Sequence, residues 1–234
     1  MNKMKTVAII PAAGTGKRME GRVSKQYLAL EGVPILVHTL RKFEGASAVD
    51  AVFLVVPAGD ADVIRRDMVD FYGLSKVRKI LPGGRERQDS VRAGIDALPE
   101  EAEVVVIHDG VRPFVTADLI GMSVEGAREF GAVSLGVPVK DTVKSVETGG
   151  WVEHTMERTK LWLTQTPQAF RREVIREAYR RAFAEGFYGT DDASLVERIG
   201  IRVRMLPGLY ENIKITTPGD LELGAILLMN RERV

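Results

Sequence analysis

Short apolar runs, of which only the third is interrupted, by Arg78 and Lys79, alternate along the first part of the chain with segments of helical periodicity. The runs are typical of strands that are buried on both faces, and they are Thr6–Ile10, Ala51–Val56, Val77–Leu81, Val104–Ile107 and Ala132–Val137. Helical spacing of apolar positions occurs in Ile35–Phe43, Ala61–Tyr72, Gln88–Leu98 and Leu119–Phe130. Repeated β-α units in this order predict a doubly wound α/β domain with a mostly parallel sheet, whose ligands bind beyond the carboxyl ends of the strands.

The pattern changes after Pro138. Lys140–Glu147 and Trp151–Met156 flank Thr148-Gly149-Gly150, which predicts a β-hairpin with a glycine-containing turn. Two interpretations of this hairpin stay open: it is a solvated excursion, or it is an arm that packs on a second subunit. Because charged residues interrupt its first strand, the residues alone favour the solvated hairpin.

The α/β pattern then resumes. It predicts helices over Arg171–Glu185 and Asp191–Ile199, strands over Ile201–Leu206 and Asn212–Thr216, and a last helix from Pro218 to Leu228. We find no linker, internal repeat or low-complexity segment. We therefore expect a single domain over residues 1–234, in which residues 139–157 form an inserted hairpin.

Composition excludes several classes of protein. Of 234 residues, 45% are hydrophobic and 28% are charged, which excludes a disordered or collagen-like chain. The 33 lysine and arginine residues nearly balance the 32 acidic residues, so the net charge gives no reason to expect binding to nucleic acid or to a membrane. The absence of cysteine from the sequence excludes a disulfide and a thiolate nucleophile. The first apolar run is too short for a signal peptide, and no segment is long enough to span a membrane, so we expect a cytoplasmic protein.

The loop after the first predicted strand is a candidate phosphate site. Its sequence, Pro11-Ala12-Ala13-Gly14-Thr15-Gly16-Lys17-Arg18-Met19, has Pro11 where a Walker loop needs glycine and Met19 where the dinucleotide fingerprint needs it. Small residues nevertheless let backbone N–H groups approach a phosphate, and Arg18 and Lys25 can neutralise a triphosphate. The alternative is an ordinary glycine-rich turn, but its position after the first strand favours phosphate binding.

The loops after the third and fourth strands add candidate base, ribose and metal contacts. Gly83-Gly84 permits a tight turn against a flat ligand, and the Ser90 hydroxyl can meet a base edge. The alternative is that Asp89 or Ser90 caps the next helix. Asp109 can hold Mg²⁺, which prefers oxygen ligands, or a ribose hydroxyl; the alternative is a turn-forming aspartate. We interpret His108 as a half-buried histidine at the end of a strand, with Arg112 close by.

The second half supplies short polar groups at the ends of strands and of the hairpin. Together they suit a second, smaller substrate that carries a phosphate. Each alone has a simpler explanation: a surface salt bridge for Arg158, helix capping for Thr190, and a solvated strand position for Lys214. We interpret Trp151 and Trp162 as packing residues. The polar groups are Lys140-Asp141-Thr142, Arg158, Gln165-Thr166-Pro167-Gln168, Thr190-Asp191-Asp192 and Asn212-Ile213-Lys214.

Taken together, these segments resemble one enzyme family. PAAGTGKRM, KQYL, GGRERQDSV, HDGVRPF, VKDTVK, MERTKLW, QTPQAF, TDDASL and ENIKIT occur in this order between residues 11 and 216. They are similar to those of the 2-C-methyl-D-erythritol 4-phosphate cytidylyltransferases of the non-mevalonate isoprenoid pathway. The resemblance implies a Rossmann-like nucleotidyltransferase fold, transfer of CMP from CTP to the polyol phosphate, release of pyrophosphate, and Mg²⁺ as cofactor.

The resemblance also implies roles for particular residues. Arg18 and Lys25 would stabilise the transition state, and Arg158 and Lys214 would position the polyol phosphate. The hairpin at 139–157 would be the arm of a homodimer and would carry residues into the partner's site. The remaining implied contacts are Ala12, Ala13 and Gly14 at the nucleotide, Gly84 and Ser90 beside cytosine, Asp109 near the ribose and the metal, and Arg112, Thr142, Thr166 and Thr190 around the second substrate.

Two departures from the family pattern stand out. Gly110 occupies a position where the family usually has alanine, and Arg85 lies at a variable position to which the resemblance assigns no role. Some members of the family are fused to a second enzyme of the pathway, whereas we expect this chain to be monofunctional.

Three rival functions remain. A cytidylyltransferase for another polyol phosphate, such as ribitol 5-phosphate, shares the HDxxRPF, DT and QTPQ elements, although the PAAG start and MERTKLW favour methylerythritol phosphate. A non-catalytic nucleotide-binding protein is disfavoured by the presence of Arg18, Lys25 and Lys214. An NAD-dependent dehydrogenase is least favoured, because the dinucleotide fingerprint fails.

Overall fold

The computed structural model describes residues 4–14 and 27–231. Its strands are β1 Thr6–Pro11, β2 Ala29–Leu30, β3 Val33–Pro34, β4 Ala51–Val56, β5 Val77–Pro82, β6 Val104–Ile107, β7 Ala132–Pro138, β8 Lys144–Val146, β9 Val152–Thr155, β10 Trp162–Arg171 and β11 Arg204–Pro207. Its helices are α1 Ile35–Gly45, α2 Ala61–Ile64, α3 Arg87–Asp96, α4 Ala117–Phe130, α5 Arg172–Ala184, α6 Asp192–Arg198 and α7 Pro218–Arg231. A π-helical segment, Arg65–Asp70, continues α2, and Arg158–Lys160 forms a 3₁₀ turn.

Seven strands form the central sheet in the order β11-β7-β10-β6-β1-β4-β5. β1 pairs in parallel with β4 and β6, β4 with β5, and β11 with β7, whereas β10 runs antiparallel to both β6 and β7. The prediction of a mostly parallel sheet is confirmed. The carboxyl ends of β1, β4, β5 and β6 therefore meet at one edge, and ligands of such sheets bind there.

Helices cover both faces of this sheet. On one face, Ala8 and Ile10 of β1 pack with apolar residues of α1, α2 and α4. On the other face, Val7 and Ile9 pack with α3, α5 and α6. The doubly wound α/β prediction is confirmed, and it explains why the inner strands are continuous apolar runs. None of the helices in the described ranges is long and apolar enough to cross a membrane.

Two expectations about the second half are wrong. β10 is a ten-residue strand, whereas the sequence predicted only polar groups at the ends of strands there. The strand was missed because buried glutamine and threonine side chains occupy its middle. Asn212–Thr216, predicted as a strand, has no regular structure. Its two fully buried residues, Asn212 and Ile215, are three positions apart, whereas the side chains of a strand alternate with a period of two.

The predicted hairpin is present and shorter than expected. β8 and β9 pair antiparallel, and Gly149 and Gly150 in the turn between them have φ of 108° and 86°, which glycine adopts without strain. Trp151 is 75% exposed, so its interpretation as a packing residue is wrong within a single chain. Val146 and Val152 beside it are exposed as well.

Candidate active site

Asp109 is the centre of a charged cluster at the carboxyl edge of the sheet. It lies two residues beyond the end of β6 and is only 6% exposed. Its Oδ1 accepts a hydrogen bond from Nε of Arg87 at 3.0 Å, and its Oδ2 lies 2.8 Å from Nζ of Lys214. Nε of Arg112 lies 3.6 Å from the same Oδ2. One buried carboxylate therefore faces three cations that come from separate parts of the sequence.

The cations of this cluster keep Asp109 ionised. Burial alone would raise the pKa of Asp109, but Arg87, Lys214 and Arg112 outweigh burial and hold that pKa well below its usual range. Asp109 is therefore ionised at neutral pH. Arg87 also pairs with Asp192, and Asp191 lines the same cleft, so three cations are balanced by three carboxylates. Water screens the charges of such a partly buried site less than it screens those of an exposed surface, so a cation that turns from a carboxylate to a bound anion interacts with that anion strongly.

An irregularity in β10 brings Thr166 next to Asp109. The pairing of β10 with β7 shifts register between Thr164 and Gln168, so the residues between them are displaced from the regular ladder. The buried hydroxyl of Thr166 accepts a hydrogen bond from the backbone N–H of Asp109 at 3.1 Å. The irregularity thus fixes the backbone that carries the Asp109 carboxylate.

His108 orients the Thr166 hydroxyl. Its Nε2 lies 3.1 Å from the carbonyl oxygen of Arg112, and its Nδ1 lies 3.1 Å from Oγ1 of Thr166. Burial lowers the pKa of His108 to about 4, so the ring is neutral at pH 7. Because a carbonyl oxygen can only accept, Nε2 carries the proton and Nδ1 accepts from the hydroxyl. His108 is therefore fully buried rather than half-buried, and it is part of the framework of the site.

The irregular segment after β11 presents Lys214 to the cluster. Asn212 is fully buried, and its Nδ2 donates to the carbonyl oxygen of Thr166 at 2.9 Å. Its own carbonyl oxygen accepts from Nη1 of Arg112 at 2.9 Å. The neighbour on the other side, Ile215, is also fully buried. Lys214 is thus held between anchored neighbours, and its side chain is only half-buried.

These residues line a cleft of about 280 Å³. Five predicted site residues meet in it: Asp109, Arg112, Thr166, Thr190 and Lys214. The lining also includes Arg87, Gln165 and Asp191. The polar lining and the cations of this cleft suit a phosphorylated ligand.

A second group of predicted residues lies next to this cleft. A Cβ on Gly83 would collide with the Cβ of Ala13, so the two loops approach as closely as only glycine allows. On the other side, a Cβ on Gly110 would lie 3.3 Å from the Cβ of Ala12. The predicted nucleotide contacts Ala12 and Ala13 therefore lie between the glycine loop after β5 and the turn that carries Asp109. Gly14 follows them and is exposed.

The Ser90 hydroxyl holds the glycine loop in place. It accepts from the N–H of Gly84 at 3.2 Å and donates to the carbonyl oxygen of Glu86 at 3.2 Å. Asp89 accepts from the N–H of Glu86 at 2.9 Å, so the helix-capping interpretation holds for Asp89. The contact of Ser90 with a base edge stays a prediction.

Comparison with known proteins identifies the family. The family described as 2-C-methyl-D-erythritol 4-phosphate cytidylyltransferase matches residues 6–230. This chain belongs to that family. A protein of the same description from Syntrophus aciditrophicus is 49% identical over 230 residues, which is 98% of each chain. One from Geobacter metallireducens is 50% identical over 231 residues, covering 97% of this chain and 99% of the relative.

Solved structures of cytidylyltransferases in this family share the fold. The crystal structure of 4-diphosphocytidyl-2C-methyl-D-erythritol synthase from Anaerococcus prevotii matches with a TM-score of 0.85 at 34% identity, over 96% of both chains. That of the cytidylyltransferase from Thermus thermophilus matches with a TM-score of 0.77 at 31% identity, over 94% of this chain and 98% of that one. The resemblance seen in the sequence segments is confirmed. The chain is accordingly a nucleotidyltransferase that transfers a cytidylyl group from CTP to 2-C-methyl-D-erythritol 4-phosphate in isoprenoid biosynthesis.

Four predicted residues of the cytidylyltransferase lie away from the cleft or outside the description. Arg18 and Lys25 fall in residues 15–26, which are outside the described residues. Thr142 and Arg158 are exposed, and neither is among the residues that line the cleft. Nη1 of Arg158 donates to the carbonyl oxygen of Lys140 at 2.6 Å. The predicted roles of Thr142 and Arg158 therefore stay predictions.

The predicted Mg²⁺ ligand Asp109 stays a prediction. Both carboxylate oxygens are engaged, one by Arg87 and the other by Lys214, and a third cation, Arg112, is near. Within residues 4–14 and 27–231, we find no group of three or more acidic or histidine side chains placed to hold a metal ion. Each oxygen keeps a second lone pair, so a single ligand from Asp109 would have to be completed by oxygens of the substrate phosphates.

Sequence reasoning missed Arg87. The sequence of the loop after β5 predicts ligand contacts for Gly84 and Ser90 and none for Arg85. Arg87 is nevertheless the residue of this segment that contacts Asp109. One signal was available. Arg87 and Ser90 are three residues apart at the start of α3, so they lie on the same side of the helix.

Proposed function

We propose that the cleft at Asp109 and Lys214 binds the phosphate of 2-C-methyl-D-erythritol 4-phosphate, and that the segment Ala12-Ala13-Gly14 binds CTP beside it. The convergence of three cations, Arg87, Arg112 and Lys214, on one polar cleft carries this proposal. The N–H of Ala12 donates to the carbonyl oxygen of Val55, so the N–H groups of Ala13 and Gly14 are the ones that we assign to the triphosphate. The two substrates thus meet where the ends of β1 and β6 adjoin.

The reaction needs positioning rather than a general base. A phosphate monoester has a second pKa of about 6, so it is largely dianionic at pH 7. One of its oxygens attacks the α-phosphorus of CTP. The new P–O bond forms as the bond to the bridging oxygen breaks, and pyrophosphate leaves with that electron pair. His108 does not serve as a base, because it is buried and both of its ring nitrogens are engaged.

The cations offset the repulsion between the two anionic substrates. Nε of Arg112 is buried, and no hydrogen-bond acceptor reaches it within the described part of the chain. If the Arg112 side chain shifts towards the cleft, this N–H can donate to a phosphate oxygen without losing an existing hydrogen bond. We assign Lys214 and Arg112 to the polyol phosphate, and Arg18 and Lys25 to the charge that develops on the α-phosphate.

We propose that Mg²⁺ enters as part of the CTP substrate, coordinated by phosphate oxygens. This agrees with the engaged state of Asp109, since the triphosphate supplies the hard oxygen ligands that the cation prefers. Turnover should stop in excess EDTA and return when Mg²⁺ is added in excess over EDTA. Full turnover in EDTA would contradict a role for a divalent cation.

Because CTP is a nucleotide of the cell interior, we place the reaction in the cytoplasm.

We propose that the enzyme is a homodimer joined through the arm at 139–157. The arm and the start of β10 expose large apolar side chains, namely Val146, Trp151, Val152, Trp162 and Leu163. Apolar surface grouped in this way marks an interaction site. Packing of the arm on a partner would cover this surface and bring Thr142 and Arg158 to the partner's cleft.

A pyrophosphate-release assay tests the proposed substrate. The purified chain is given CTP and Mg²⁺ with either methylerythritol phosphate or ribitol 5-phosphate, and the product is identified by its mass. We expect much higher kcat/KM with methylerythritol phosphate. Preference for ribitol 5-phosphate would support the rival polyol, and release with neither would contradict the assignment.

A further inference from the structure

The guanidinium of Arg87 bridges two carboxylates that belong to different secondary-structure elements. Its Nε donates to Oδ1 of Asp109 at 3.0 Å, and its Nη2 donates to Oδ2 of Asp192 at 2.8 Å. Arg87 begins α3, Asp109 follows β6, and Asp192 begins α6. One guanidinium therefore ties three elements together at the cleft, with the fork geometry for which arginine is suited.

Asp192 anchors this fork from behind the cleft. It is 1% exposed, and its Oδ1 accepts a hydrogen bond from the hydroxyl of Tyr179. Its backbone N–H donates to Oε1 of Gln168 at 3.1 Å. Burial raises the pKa of Tyr179 well above its ordinary value, so that hydroxyl keeps its proton. Asp192 is thus fixed, although the cleft itself is lined by its neighbour Asp191.

The fork sets how Asp109 presents its second oxygen. Because Arg87 holds Oδ1, Oδ2 is the oxygen that faces Lys214 and Arg112. When Lys214 turns to a bound phosphate, Arg87 still balances the buried carboxylate. Without Arg87, Asp109 would compete with the substrate phosphate for Lys214.

We propose that Arg87 is a positioning residue, which holds Asp109 against Asp192 so that Lys214 and Arg112 are presented to the polyol phosphate. This rests on the proposed assignment of the cleft to that phosphate. The same guanidinium belongs to the helix that carries Ser90, so it links the predicted cytosine loop to the polyol cleft. Arg87 thereby joins the two substrate sites.

Three variants test this proposal: Arg87→Lys, Asp192→Asn, and the control Arg92→Gln. Arg92 lies on the same helix, pairs with exposed Asp96 at 3.4 Å, and is remote from the cleft lining. A lysine keeps the charge of Arg87 but cannot span both carboxylates. We expect Arg87→Lys to raise KM for the polyol phosphate about tenfold, with a smaller change in the Kd for CTP. Arg92→Gln should leave both constants unchanged.

Asp192→Asn separates positioning from direct contact. Asp192 is buried behind the cleft and pairs with Arg87, so the double variant shows whether a change in KM for the polyol phosphate passes through Arg87 or through its cleft-lining neighbour Asp191. We expect Asp192→Asn to raise this KM, and the double variant with Arg87→Lys to be no worse than the more affected single variant. Additive effects, or an unchanged KM in Asp192→Asn, would overturn the positioning role.

Thermal unfolding distinguishes a loss of stability from a loss of positioning by Arg87. If a variant loses stability while its folded fraction keeps the wild-type KM, Arg87 is only structural and the proposal fails. If Asp192→Asn does not fold, the same cycle is run between Arg87→Lys and Lys214→Gln, which should also be non-additive. An inactive wild-type enzyme with methylerythritol phosphate would instead overturn the proposed function, so the two failures are distinguishable.

Discussion

The hydroxyl of Thr166 donates to Nδ1 of His108 across 3.1 Å. The same hydroxyl oxygen accepts from the backbone N–H of Asp109 at 3.1 Å. A threonine from β10 thus connects a fully buried, neutral histidine to the residue at the centre of the charged cluster. Since its proton is committed to His108, Thr166 can act on a substrate only as an acceptor.

Replacement of Thr166 tests this link. Thr166→Val removes the hydroxyl and leaves a buried histidine nitrogen and a backbone N–H without their partner, which costs about 1–3 kcal/mol of unfolding free energy. Thr166→Ser keeps the hydroxyl and should retain most of that stability and of kcat/KM. Urea unfolding and steady-state kinetics check both. Equal behaviour of the two variants would show that the hydrogen bonds are unimportant.

The buried His108 makes stability depend on pH in a defined window. Its pKa falls from an ordinary 6.5 to about 4 on folding, so between these values the unfolded chain binds the proton and the folded chain does not. The unfolding free energy should therefore fall as the pH decreases from 6.5 towards 4, by about 3 kcal/mol in total. Urea unfolding at several pH values measures the slope.

His108→Asn and the control His154→Gln test the origin of that slope. His154 is exposed on β9, so its removal should leave the slope unchanged. His108→Asn should flatten it. The attribution to His108 is wrong if both variants keep the wild-type slope.

Mixing two inactive variants tests the exchanged arm. If Arg158 acts in the partner's site, a dimer of one Arg158→Ala chain and one Lys25→Ala chain has both lesions in one site and none in the other. An equal mixture should then recover about a quarter of wild-type activity, since half of the dimers are mixed and each has one intact site. Different affinity tags on the two chains verify subunit exchange. No recovery after verified exchange would place Arg158 in its own chain's site.

The sequence predicts the inner strands of the sheet well because each buried strand is a continuous apolar run, which neighbouring residues alone reveal. β4 and β6 are buried throughout, and their apolar runs show this directly. β10 escaped prediction because its buried polar side chains are satisfied by distant partners, such as Ser134 and Asp191 for Gln168. A single sequence does not show those partners.

The residues of the candidate site also fall into those that the sequence predicts and one that it does not. Asp109 and Lys214 were predicted from their positions in segments that resemble the family. Arg87 was not, because its partners lie 22 and 105 residues away. Its role depends on how β6 and α6 pack, and no local pattern carries that information.

The kinetic effect of Lys214→Gln tests the central claim most directly. Loss of a charged hydrogen bond to the polyol phosphate should raise KM for methylerythritol phosphate about 10- to 100-fold and leave KM for CTP nearly unchanged. The control Lys5→Gln removes a lysine at the opposite end of the sheet, where it pairs with Glu103 at 2.8 Å, and should change neither constant. A rise in KM for CTP with an unchanged KM for methylerythritol phosphate would contradict the assignment of this cleft to the polyol phosphate.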